Sequence, residues 1–90
     1  MSQAIVDPTE LRRFAHALKV FNGDLQNRMQ VLHGQVGALS QTWRDQENLK
    51  FVNEFETTMV AIARFVEASN EHIPFLLRKA ERVEEYLTQR

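Results

Sequence analysis

Ninety residues with 43% hydrophobic and 26% charged side chains, three glycines and two prolines are too apolar for a disordered chain and too poor in breakers for an all-β domain. The 11 basic and 12 acidic residues leave a formal charge of -1, which argues against generic nucleic-acid or anionic-membrane binding, since both need a basic excess. With no cysteine there is no disulfide framework, thiolate zinc site or cysteine nucleophile, and no apolar run approaches the ~20 residues that span a bilayer.

The first helix is announced by Asp7-Pro8-Thr9-Glu10. Asp7 suits the N-cap, Pro8 the first helical position, and Glu10 the place from which a carboxylate reaches back to the cap. Val6 and Leu11 take the staple positions, and residues 1–5 are expected to fray. Met1–Arg13 has no apolar core of the kind a cleaved signal peptide needs. From Leu11 the apolar positions are Phe14, Leu18, Phe21, Leu25, Met29, Leu32, Val36, Leu39 and Trp43, a helical stripe with one drift of phase near Leu25. Gly23, Gly34 and Gly37 each cost roughly 1 kcal/mol against alanine in a helix interior. They mark either a local loosening or a close helix crossing.

The turn reads Ser40-Gln41-Thr42-Trp43-Arg44-Asp45-Gln46-Glu47, with no proline or glycine. Asp45 can cap a second helix, and Glu47 in its first turn suits the helix dipole. A short connection joins antiparallel neighbours.

The second helix carries Val52, Phe55, Met59, Ile62, Val66, Ser69, Ile73, Leu76, Ala80, Val83 and Leu87 in unbroken steps of three and four, the pattern of a coiled coil or bundle. Phe51, Phe65 and Tyr86 widen this stripe on one flank; Leu49, Ala63 and Leu77 widen it on the other. Pro74 interrupts it, so the helix either kinks and continues or restarts with Asn70 as a cap. The stripe keeps phase through Ser69, Ile73 and Leu76, which favours one kinked helix.

The expected architecture is all-α, a single helical-hairpin domain over residues 1–90. It has a helix at about 8–40, a turn at about 41–46, and a helix at about 47–88 kinked near Pro74. A hairpin is one layer thick and cannot cover both flanks of the wide stripe. Two hairpins packed as a four-helix bundle can, and a chain this short has oligomerisation as its remaining source of core. The expected dimer interface is Phe51, Phe55, Met59, Ile62, Phe65 and Val66.

Little supports catalysis. His16, His33 and His72 do not pair at helical spacing, and Gln30 and Ser69 stand where a bundle di-metal site would need carboxylates. The serines lack a nucleophile context, and no glycine-rich phosphate loop is present. The reading is of a non-enzyme with no catalytic residue, no metal and no cofactor. Trp43 stands out instead: at a helix end its indole can pack while its N–H seeks a partner, or it can serve as a contact hot spot.

The length, the two long helices and the Trp-led turn at Trp43 resemble the WXG-motif family, the ESAT-like helical hairpins of type VII secretion, over nearly the whole chain. Phe51 and Phe55 stand where that family places aromatics after its tryptophan. Trp43-Arg44-Asp45 departs from W-x-G at its third place, where glycine serves a positive φ that aspartate also tolerates. The family's secretion tail sets an acid four residues after a tyrosine; Tyr86 is followed there by Arg90. The resemblance implies a hairpin pairing with itself or with a homologous hairpin, and acting as a specialised-secretion substrate, carrier or partner of a larger effector. It would be cytoplasmic, or exported without a cleaved signal peptide, with no nucleic acid bound and no membrane insertion. The alternative is an intracellular helical adaptor without an export role. Trp43, Arg44 and Asp45 are then either an exposed recognition edge or a packing residue and a cap.

Overall fold

The computed structural model describes residues 6–89. The expected fraying of residues 1–5 lies outside them. The chain is an all-α hairpin of α1, Pro8–Leu39, and α2, Gln46–Thr88. The α1 start uses Asp7 as cap, its carboxylate accepting from the Thr9 N–H at 2.9 Å, with Pro8 next. Glu10 does not reach back to the cap; its carboxylate takes the Arg13 guanidinium at 2.7 Å. The helix passes through Gly23, Gly34 and Gly37 without a break, and a Cβ at each of them would meet open space. Neither loosening nor a close crossing within the chain accounts for these glycines. Pro74 lies inside an uninterrupted α2, so the restart at Asn70 is not used.

The arms run antiparallel. Arg12 meets Glu84 at the open end, Asn22 meets Ser69 midway, and Ser40 meets Asn48 beside the turn. The described residues extend 70 × 23 × 15 Å with a radius of gyration of 20.3 Å. A compact chain of this length would have a radius near ~12 Å. The molecule is thus a rod one helix pair thick.

The seam follows a heptad in both helices. In α2 each of Val52, Phe55, Met59, Ile62, Val66, Ser69, Ile73, Leu76, Ala80 and Val83 is buried or half-buried, while of the other described α2 residues only Asn48 is shielded. In α1 the inner rows are Pro8, Ala15, Asn22, Met29 and Val36, ending at Trp43 (position a), and Leu11, Leu18, Leu25, Leu32 and Leu39 (position d). This corrects the apolar stripe expected of α1. Phe14 and Phe21 stand one place outside the seam and are exposed, whereas Ala15 and Asn22 are buried in it. The phase drift near Leu25 is the point where the large apolar residues cross from the outer flank into the seam.

Candidate interaction surface

The turn holds the motif residues in three different ways. The backbone N–H of Trp43 donates to the Leu39 carbonyl at 3.0 Å, which closes the end of α1. Its half-buried ring lies 5.7 Å from that of Phe51, which is in turn 6.0 Å from Phe55. Arg44 is exposed, and its Nε donates back to the Gln41 carbonyl at 2.8 Å. Asp45 caps α2, accepting from the Asn48 N–H at 3.0 Å. Its backbone is extended, with φ -111° and ψ -175°, and no described residue has a positive φ. The third motif place therefore demands no glycine-like conformation here. Aspartate fits it because its carboxylate satisfies an orphan amide.

The six residues expected at the dimer interface divide. Val66 is 1% exposed and is consumed by the hairpin itself, so it has no side-chain surface to offer a second chain. Phe55, Met59 and Ile62 are half-buried in the same seam. Phe51 and Phe65 lie outside it and are exposed.

Beyond the seam the two sides of the rod differ in chemistry. One side carries the residues that follow the d row in sequence, the e positions; it is the more polar of the two, although Leu49 and Leu77 are exposed on it. Arg12 grips Glu84 through two hydrogen bonds of 2.9 and 2.6 Å, and His33 contacts Glu56 at 3.0 Å. The bidentate guanidinium holds the Glu84 carboxyl below the ordinary glutamate value and raises Arg12 above its own. The other side carries the g positions, and there Phe14 and Phe21 of α1 join Phe51, Phe65 and Tyr86 of α2, all exposed. Leu32 and Leu39 are seam residues, yet they are left open toward this side, and Val31 and Phe75 border it. Sequence inspection of α2 alone finds half of this surface. Its α1 half hides inside an apparently ordinary helical stripe.

Grooves on the rod are open rather than enclosing. One, of about 370 Å³, is lined by Met29, Gln30, His33, Met59, Val60 and Ala63 on the polar side. Among the described residues no cluster of three or more His, Asp or Glu side chains could hold a metal, and no helix is long and apolar enough to cross a membrane. The exposed aromatics form one elongated flank of the rod.

Comparison with known proteins accords with this geometry. A family model for WXG100, described as proteins of 100 residues with WXG, matches residues 3–86. Among solved structures the chain is similar to the secreted protein EsxB from Bacillus anthracis, in its selenomethionine-labelled form. The TM-score is 0.77 at 24% identity, covering 96% of this chain and 98% of that one. A wild-type crystal of EsxB gives a TM-score of 0.77 at 25% identity, covering 93% of this chain and 97% of that one. No curated protein sequence matches.

Proposed function

The chain belongs to the WXG100 family, and from that premise we propose that it is a non-enzymatic hairpin that dimerises through its aromatic flank and works in type VII secretion as a substrate, carrier or partner of a larger effector. The observation that carries this reading is the exposed row of Phe14, Phe21, Phe51, Phe65 and Tyr86 on one side only of a helical pair. The area agrees. The hairpin exposes 7264 Å², whereas a folded monomer of 10.5 kDa is expected to expose about 5,400 Å². The excess, about 1,800 Å², is of the size one partner buries in an obligate helical dimer. The second chain is a copy of itself or a homologous hairpin, packed as a four-helix bundle, and Trp43, Arg44 and Asp45 sit at its tip.

Two measurements test the proposal. Light scattering of the purified protein is expected to give twice the 10.5 kDa chain mass. A poorly folded monomer that becomes helical only with a homologous hairpin would assign the partner to another chain. A well-folded monomer would overturn the dimer. For export, the protein is expected in the culture medium of its host, and to be lost from it when the secretion ATPase is deleted. Retention inside cells under both conditions would favour the adaptor reading, which the base Arg90, four residues after Tyr86, already supports.

A further inference from the structure

We propose that Asn22 and Ser69 form a pairing lock, a polar layer that selects the alignment of the open half of the hairpin and stops α1 from pairing with other helices. Beyond Asn48 at the turn, each inner row of the seam around them is apolar but for one polar residue at mid-length. On α1 the row runs Pro8, Ala15, Asn22, Met29, Val36; on α2 it runs Phe55, Ile62, Ser69, Leu76, Val83. The fold places these two polar residues opposite each other. The Asn22 amide donates to the Ser69 hydroxyl at 3.0 Å and to the Asn70 side-chain carbonyl at 2.9 Å. Asn22 is 1% exposed, and its Oδ1 has no partner among the described residues. A buried amide left half satisfied is a poor source of stability, since an apolar side chain in the same seat would be as good or better. What it supplies is discrimination. A shift of one heptad sets the amide against Ile62 or Leu76, and a partner helix with an apolar residue at that place does the same; in either case its N–H groups have no acceptor.

The layer sits where the hairpin is most open to error. On its N-terminal side the α1 row offers only Pro8 and Ala15, while the turn and Trp43 hold the other half. One turn beyond, Pro74 has no N–H for the Asn70 carbonyl, so the backbone of α2 is weakened there as well. The same alignment sets Phe14 and Phe21 along the rod relative to Phe65, so it also assembles the aromatic flank.

The test is Asn22→Leu in the full chain, read by thermal unfolding and by native mass spectrometry. The variant is expected to unfold at the same or a higher temperature, but as a mixture of assemblies in place of one. The exchange variant, Asn22→Ser with Ser69→Asn, is expected to restore a single species. An Asn22→Leu protein that is as homogeneous as the parent would overturn the lock. So would loss of folding, because it would make Asn22 a source of stability. The readout is the number of species and not their mass, so it stands apart from whether the parent is a dimer.

Discussion

Asp45 does with a side chain what glycine elsewhere does with backbone freedom. Its extended conformation is open to any residue, and its carboxylate accepts from the Asn48 N–H. Asp45→Ala is therefore expected to lose ~1 kcal/mol in chemical denaturation, whereas Asp45→Gly, which writes the full W-x-G motif, loses only a few tenths. Equal losses for both would remove the cap from the account. Trp43→Ala removes a half-buried ring packed at the tip beside Phe51. It is expected to cost about 2 kcal/mol, less than the larger penalties of a fully buried tryptophan. At the other end of the rod, Arg12 and Glu84 set a pH dependence. The Glu84 carboxyl is held below its ordinary value by the guanidinium, so its contribution is present above the unfolded glutamate pKa and fades as pH falls through the lower, folded value. Melting curves from neutral to acid pH should show the parent and Glu84→Gln converging at the acid end. The separation at neutral pH should be small, because the pair is half in solvent and screened.

At the scale of elements, α2 was legible and α1 only in part, and the difference has a physical cause. Every inner position of α2 from Val52 to Val83 is apolar apart from Ser69, so amphipathic spacing and seam coincide. In the first half of α1 the a row holds Ala15 and Asn22, which carry little or no hydrophobic signal, while the large side chains Phe14 and Phe21 lie one residue outward. Periodicity reports where apolar mass is, and here that mass faces away from the partner helix within the chain. The buried Asn22 could be found only by noticing that a strict heptad through Met29, Val36 and Trp43 lands on it. The glycines show the same limit. Their spacing invited a crossing, yet a Cβ at Gly34 meets nothing within 4 Å. Gly34→Ala is accordingly expected to raise stability by about 1 kcal/mol through helix propensity alone. A loss of stability in the purified protein would mean that a second chain approaches the backbone there.

For the molecule as a whole, the decisive property is that its two long sides are unlike. The polar side pairs Arg12 with Glu84 and His33 with Glu56, and its exposed large apolar side chains, Leu49, Val60 and Leu77, are aliphatic, while the aromatic side leaves Phe21 and Phe65 each 52% exposed. A charge placed on the aromatic side must be desolvated when two hairpins meet, at a cost of several kcal/mol, whereas the same charge on the polar side stays in water. Phe65→Asp is expected to halve the mass measured by light scattering, and Phe21→Asp to do the same from the other helix. Val60→Asp, at an exposed site that lines the groove with Met29, Met59 and Ala63 on the opposite side, is expected to leave the mass unchanged. Neither phenylalanine is buried in the seam, so loss of pairing and loss of the hairpin separate in one further comparison. Val66→Asp, at a site 1% exposed, should abolish helical content at any concentration. Phe65→Asp should instead recover helical content as protein concentration rises, because its defect lies in association, which mass action opposes. If Val60→Asp dissociates the protein and Phe65→Asp does not, the second hairpin packs on the polar side, and the aromatic flank is free for a different partner.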